Sequence, residues 1–270
     1  MGDFLTDSQR LVFVGGLHRS GTSLLARLLA SHPDATGLER TGVPEDEGQH
    51  LQSVYPAAER LGGSGRFALN SSAHMTESAP QATPESAQQL WDAWRPYWDS
   101  DRSFLIEKSP PNLTKGRFLQ ALFPTAAFVF IVRHPVTVTL ATRKWRRRTP
   151  LPKLMGNWFA GHDTAREDLP HLQRVQLISY EWLLADPKAT VAEVVEHLSM
   201  PGEVDVSSVD VSGSEVYEAQ WRDLLTAGHR GAVKAHRLFA ERANALGYDL
   251  DNLRLAPRHP LIETTGLPLT

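Results

Sequence analysis

The sequence predicts an α/β fold, with a parallel sheet of about five strands and helices on both faces. Two features predict it. Short apolar, β-rich runs recur at 11–14, 104–106, 127–132 and 175–179, with helical patterns between them. The first run also passes through a glycine-bearing loop straight into a leucine-rich helical segment. Such alternation builds a parallel sheet, because each parallel return needs a crossover, usually a helix.

In chain order, the run LVFV at 11–14 reads as a buried strand. Residues 23–31 (SLLARLLAS) place leucines at helical spacing, and Pro33 ends that helix by disfavouring helical backbone at His32. Residues 36–84 are rich in Gly, Ser, Pro and Asn and read as loops with short helices, forming a lid or one wall of a site. Pro84-Glu85-Ser86 opens a helix carrying Trp91, Trp94 and Trp98. After the strand at 104–106, a helix over 112–123 sets Leu113, Phe118, Leu119 and Leu122 on one apolar face. The strongest strand is AFVFIV at 127–132, and 175–179 is another. Asp186-Pro187 opens a helix to Leu198, and helices fill 216–246. No internal repeat is visible, and the chain reads as a single domain over 1–270.

Composition narrows the function. The chain has 28 Lys and Arg against 31 Asp and Glu, a net charge of −3. No global field draws in nucleic acid or an anionic membrane, so anion binding must be local. The absence of cysteine excludes disulfides, thiolate zinc sites and a cysteine nucleophile. The N-terminal residues lack the basic region and apolar core of a signal peptide, and Gly2 does not complete a myristoylation pattern. No run approaches the roughly 18 apolar residues of a membrane span. A cytoplasmic protein is expected.

The loop Gly16-Leu17-His18-Arg19-Ser20-Gly21-Thr22-Ser23 lies between strand and helix. Phosphate sites form there because backbone N–H groups converge at the helix N-terminus and the helix dipole favours an anion. Gly16 and Gly21 let the backbone come close, and the hydroxyls of Ser20, Thr22 and Ser23 add donors. The spacing is that of a nucleotide-triphosphate loop, except that Thr22 stands where its lysine would be. Arg19 supplies the charge instead.

At these residues the chain resembles the sulfotransferase superfamily, whose 5′-phosphosulfate loop is a basic residue followed by Ser-Gly-Thr-Ser/Thr. Arginine at the basic position is similar to the protein-tyrosine branch. Glu107-Lys108-Ser109-Pro110 resembles a block of the glycan sulfotransferases, where the lysine contacts the transferring group. Phe128 to Val132 followed by Arg133-His134-Pro135 resembles the strand that delivers an arginine to a 3′-phosphate. A guanidinium suits that task because it grips phosphate in a bidentate way. The family then expects a serine eight residues after the arginine. That position is Ala141, with Thr139 and Thr142 nearby; Thr142, backbone groups, or Arg143 and Lys144 are left to replace it. Arg143-Lys144-Trp145-Arg146-Arg147-Arg148 reads as a solvated face with one or two side chains turned toward the ligand. Tyr180-Glu181 resembles a further block, with Tyr180 either at the cofactor or in the core. Leu246-Gly247-Tyr248 is similar to the closing helix of the tyrosyl branch.

The resemblance implies a P-loop-type enzyme that moves a sulfuryl group from 3′-phosphoadenosine-5′-phosphosulfate (PAPS) to a hydroxyl of a small molecule, sugar or peptide. It implies no metal. Residues 36–84 would then wall the acceptor side. Catalysis needs a base for the acceptor proton. Glu47 in Pro44-Glu45-Asp46-Glu47-Gly48-Gln49-His50 resembles the catalytic glutamate of some glycan sulfotransferases, with Glu45, His50 and Glu39 as alternatives. Neighbouring carboxylates raise one another's pKa, which suits such a base. Arg19 and Lys108 would stabilise developing charge. The aromatic residues Trp91 to Trp98, Trp145, Trp158 and Phe159 either line an acceptor cleft or fill the core. Two other classes remain at this stage. A nucleotide kinase needs the missing lysine and a magnesium-binding Asp after an apolar strand. A non-catalytic phosphate- or nucleotide-binding module needs the loop but not Lys108 and Glu47 together.

Overall fold

The computed structural model describes residues 9–210, 215–262 and 267–268. Its main sheet has five parallel strands: β1 Arg10–Gly16, β2 Ala35–Gly37, β3 Phe104–Lys108, β4 Ala127–Val132 and β5 Val175–Ser179. Their spatial order is β2-β3-β1-β4-β5. β1 therefore sits at the centre, with Val14 in register with Lys108 on one side and with Val129 on the other. From β1 the chain runs to β2 and back to β3 on one side, then crosses to β4 and β5 on the other, so the ends of β3, β1 and β4 flank one crevice.

Alternate residues of each strand enter two cores. Val12, Val14, Ile106, Val129 and Ile131 pack under α1 (Thr22–Ala30), with Leu183 of α6 (Tyr180–Ala185) and Val194 of α7 (Pro187–Leu198). Phe13, Leu105, Phe128 and Phe130 face the other core, with Trp94 of α2 (Pro84–Trp94) and Phe118 of α3 (Gly116–Leu122). That core also takes Val136 of α4 (Pro135–Arg143), Trp158 of α5 (Leu151–Asp168), Trp221 of α8 (Glu215–Thr226) and Ala235 of α9 (Arg230–Asn244). Strands with both faces covered read as unbroken apolar runs, which is why β1 and β4 were legible. Among the described residues no helix is long and apolar enough to cross a membrane.

Several boundaries differ from expectation. The helix predicted over 112–123 is broken at Lys115 into a 3₁₀ turn, Pro110–Thr114, and α3. α2 ends at Trp94, and Trp98 lies beyond a further 3₁₀ turn at Arg95–Tyr97. Trp91, Trp94, Trp98, Trp158 and Phe159 are buried in the core, whereas Trp145 is 63% exposed. Between β2 and α2 the chain forms only 3₁₀ turns and loops, as the composition of 36–84 implies.

His134 fixes the exit from β4. Its Nδ1 accepts the Val136 N–H at 3.3 Å, capping α4, and its Nε2 lies 3.0 Å from the Asp249 carbonyl. Only a neutral ring, protonated on Nε2, makes both bonds. Burial accordingly lowers its pKa from 6.5 to about 3. Between those values the unfolded chain carries a proton that the folded protein does not, so this group's contribution to stability falls as pH falls. The slope is about 1.4 kcal/mol per pH unit. His134→Gln is expected to flatten the stability–pH curve between roughly pH 6 and pH 4 by that amount in denaturant titrations. An unchanged slope would mean that the ring titrates normally.

Candidate functional site

The site forms where β1, β3 and β4 end. β1 delivers the loop 16–21, whose turn needs left-handed backbone at Arg19 (φ 73°) and Gly21 (φ 101°). A Cβ on Gly16 would lie 2.6 Å from the Ile131 carbonyl, and one on Gly21 would collide with the Tyr180 ring. Glycine is the residue that both close approaches admit. No side chain caps the N-terminus of α1, so its first N–H groups face the loop with no side-chain partner. Ser20 is fully buried and its Oγ has no partner. An unpartnered buried hydroxyl beside an uncapped helix end suits an anion that supplies the missing hydrogen bonds. Thr22 is buried and Ser23 half-buried on the same turn.

β3 delivers Lys108. Its Nζ lies 3.0 Å from Glu47 Oε1 and 3.0 Å from the Glu45 carbonyl. Glu47 Oε2 accepts from Gln49 Nε2, and His50 Nε2 stands 3.7 Å from the same oxygen. Burial raises the Glu47 pKa, while the charge and hydrogen bond of Lys108 pull it back. Glu107 explains how 47–49 is held. Its Oε1 accepts the Gly48 N–H at 3.0 Å and the Ser109 hydroxyl at 2.6 Å, and its Oε2 accepts Asn112 Nδ2. Ser109 Oγ in turn accepts the Gln49 N–H at 3.0 Å. Trp94 Nε1 donates to the Gly48 carbonyl at 3.0 Å.

β4 delivers Arg133. Its Nη1 donates to the Arg19 carbonyl at 3.2 Å, and its guanidinium lies 3.9 Å from the centre of the Tyr180 ring. Its Nε is buried without a partner. The ring of Tyr180 therefore lies between Arg133 and Gly21, at the ligand loop rather than deep in the core. Ala141 is buried where a hydroxyl was expected, and the buried Thr142 turns its methyl to Gly65 while its Oγ1 has no partner.

The structure thus gathers Gly16, Arg19 to Ser23, Glu47, Lys108, Arg133 and Tyr180 around one crevice. Glu39 and Glu45 line, with Ser23, Ala26 and Lys108, a neighbouring cavity of about 300 Å³ between α1 and the chain after β2. Two contributors, Tyr217 and His18, were not foreseen, and Trp145 takes a place other than an acceptor cleft or the core. Trp145 stacks 4.6 Å from the Arg19 guanidinium. Tyr217 on α8 lies 5.9 Å from Arg133. His18 packs on Phe67, and burial lowers its pKa to about 4, so the ring is neutral. The run 143–148 distributes as expected of a mixed face: Trp145 to Arg19, Lys144 toward Tyr217, and Arg146 Nε to the Ser64 carbonyl at 3.1 Å.

A model of the sulfotransferase family matches residues 12–204. A protein-tyrosine sulfotransferase of Drosophila melanogaster is 24% identical over 213 residues, 71% of this chain but 38% of that protein. The chain thus spans well under half of that curated relative. Among solved structures, a sulfotransferase from Mycobacterium avium aligns with TM-score 0.50 and 13% identity, over 92% of this chain and 79% of its own. One from Alicyclobacillus acidocaldarius gives 0.49 and 17%, over 85% and 95%. At 13% identity the likeness to the Mycobacterium avium structure concerns the fold.

The close approach of Tyr180 to Gly21 makes a direct test. Gly21→Ala forces a Cβ into the ring and strains a left-handed residue by roughly 1–2 kcal/mol. Anion binding at the loop, read by calorimetry with inorganic pyrophosphate, is expected to weaken at least tenfold, the equivalent of about 1.4 kcal/mol. Unchanged binding would show that the loop geometry does not matter to the anion.

Proposed function

Because the chain belongs to the sulfotransferase family, we propose that it transfers a sulfuryl group from PAPS to an acceptor hydroxyl. The observation that carries this reading is one juxtaposition. An uncapped helix N-terminus with a buried, unpartnered Ser20 hydroxyl meets the Lys108–Glu47 pair at the neighbouring strand end.

The donor supplies an activated sulfuryl group on a phosphosulfate. Gly16, Arg19, Ser20, Gly21, Thr22 and Ser23 would hold that end, and Arg133, Thr142 and Tyr180 would hold the adenosine 3′-phosphate side. Lys108 has three N–H donors and spends two on Glu47 and the Glu45 carbonyl, so one is left for charge developing on the leaving oxygen. Arg19, next to the loop hydroxyls, serves the same charge from the other side. Glu47 is anchored through one lone pair on each oxygen and keeps another to receive the acceptor proton. Its raised pKa makes it a better base than an exposed carboxylate. Glu39 is a second candidate, because it shares the wall of the cavity that reaches Lys108. That cavity, with 36–84 beside it, is the proposed acceptor side, for a small-molecule, sugar or peptide hydroxyl. The domain over 1–270 would hold donor and acceptor together.

Adenosine 3′,5′-bisphosphate is expected to bind much more tightly than ATP with magnesium, because Thr22 replaces the triphosphate lysine and Arg133 has no carboxylate ion-pair partner among the described residues. Arg133→Ala should erase most of the preference for a 3′-phosphate, roughly 1.5–3 kcal/mol. Equal or tighter ATP binding in calorimetry would overturn the donor assignment.

Lys108→Ala and Glu47→Gln should leave nucleotide affinity nearly intact and slow turnover, the second by about 10²–10⁴-fold. Single-turnover transfer by Glu47→Gln beside Glu39→Gln, Glu45→Gln and His50→Asn assigns the base. A Glu47→Gln enzyme at full rate beside an inert Glu39→Gln would move the role to Glu39.

A further inference from the structure

Neither Arg133 nor Lys144, two of the cations on the proposed nucleotide side, has a carboxylate within ion-pair distance among the described residues. Arg133 is nearly buried, and its Nε hydrogen has no acceptor. Glu181 is close enough to feel its charge, yet Glu181 Oε1 accepts the His134 N–H at 2.8 Å and Oε2 the Ser179 hydroxyl at 3.1 Å. Lys144 Nζ lies 3.2 Å from the Tyr217 hydroxyl and 4.9 Å from the centre of that ring. The Arg133 guanidinium lies 5.9 Å from the same ring. Two uncompensated cations thus converge on one buried tyrosine at the strand end. A buried guanidinium with an unused donor is costly unless an anion completes it.

Helix geometry says why Lys144 is the second cation. It continues α4 with helical backbone (φ −55°, ψ −34°), three residues after Ala141. Residues three apart share a helix face, so Lys144 covers the face on which Ala141 offers no hydroxyl. Thr142, the nearer hydroxyl, turns its methyl to Gly65.

We propose that Lys144 and Tyr217 complete, with Arg133, the pocket for a ribose 3′-phosphate, in place of the hydroxyl absent at Ala141. This rests on the sulfotransferase reading above. The division of labour follows from donor chemistry. Arg133 offers a planar fork to two phosphate oxygens, and Lys144 brings a point charge. The Tyr217 hydroxyl accepts from Lys144 and keeps its own hydrogen for the phosphate. A nucleotide without the 3′-phosphate leaves both cations uncompensated, so the trio selects for that group as well as binding it. Because Tyr217 belongs to α8 and Lys144 caps the C-terminal end of α4, the same phosphate links both helices to the end of β4.

The test is calorimetry of adenosine 3′,5′-bisphosphate and adenosine 5′-phosphate with wild type, Lys144→Met, Lys144→Arg, Tyr217→Phe and Lys188→Met. Wild type should prefer the bisphosphate. Lys144→Met should lose roughly ten- to hundredfold of bisphosphate affinity, the worth of one hydrogen bond to a charged group, with little change for the monophosphate. Lys144→Arg should restore most of the preference. Tyr217→Phe, which keeps the ring, should lose less in the same direction. Lys188→Met, at an exposed lysine paired with Glu203, should leave the ratio unchanged and so exclude an effect of net charge. A wild-type ratio in Lys144→Met, or an equal loss in Lys188→Met, would overturn the inference while leaving the donor assignment standing. A wild type without preference for the bisphosphate would overturn that assignment, and this inference with it. Lys144 is exposed, so melting temperatures near wild type are expected and separate a lost contact from a lost fold.

Discussion

The site depends on one buried carboxylate. Glu107 lies one residue before the end of β3 and is fully enclosed. Its three donors come from Gly48, Ser109 and Asn112, and Asn112 also donates to the Val14 carbonyl of β1 at 3.1 Å. One side chain therefore ties the turn after β3, the end of β1 and the segment 47–49 into a single unit. Lys108 and Glu47 meet because their neighbours, Glu107 and Gly48, are hydrogen-bonded to each other. Burial lifts the Glu107 pKa to about 7, and the charge of Glu47 pushes the same way. Lys108 bonds directly to Glu47, so of the two coupled carboxyls Glu107 holds a proton more readily. The charge and hydrogen bond of Lys108 favour the ionised form of Glu47, the form that the proposed base role requires.

On the opposite side of β1 the same economy of contacts arranges cations. Arg133 reaches back from β4 to the carbonyl of Arg19, and Arg19 stacks on Trp145 after α4. Neither guanidinium is neutralised by an ion pair among the described residues. Fixed charge without a fixed counter-charge is what stabilises an anionic ligand with little reorganisation. Its folding cost is limited by stacking on Trp145 and Tyr180, since cation–π contacts replace part of the lost hydration.

The sequence made legible what is local. Buried strands declare themselves as apolar runs, the phosphate loop as glycines between strand and helix, and Glu107-Lys108-Ser109-Pro110 as one contiguous block. β2 escaped because it has three residues, one a glycine, and no periodicity can form over that length. Helix 112–123 was read as continuous because its apolar spacing is helical throughout, yet Pro110-Pro111 and Gly116 favour a tighter turn and a break. Tyr217 left no trace, since a lone tyrosine 84 residues after Arg133 carries no motif (217 − 133 = 84). Lys144 stood in the sequence beside Arg143 as one of several groups left to replace the serine absent at Ala141; its contact with Tyr217 is a tertiary fact. The roles of Gln49 and Ser109 as anchors of Glu47 likewise depend on which segment packs across β3.

These contacts give the crevice two electrostatic sides, divided by Lys108. Arg19, Arg133 and Lys144 stand on the side proposed for the nucleotide; Glu39 and Glu45 line the cavity beneath α1 with Lys108, and Glu47 is bonded to that lysine. In the proposed transfer a proton leaves the acceptor while negative charge accumulates on the leaving nucleotide. The carboxylates lie where the proton goes and the cations where the charge goes, so the field across the site runs along the reaction. Lys108 Nζ lies 3.0 Å from Glu47, the proposed base, and keeps one N–H beyond those given to Glu47 and the Glu45 carbonyl. Removing either partner of that pair therefore disturbs both ends at once. Loss of Lys108 leaves Glu47 buried without its counter-charge, and loss of the Glu47 charge leaves an ammonium held mainly by the Glu45 carbonyl. In the proposed transfer the pair would join acid–base chemistry to charge stabilisation, and the hydrogen bonds around Glu107 hold β1, β3 and the 47–49 segment in the arrangement that the pair needs.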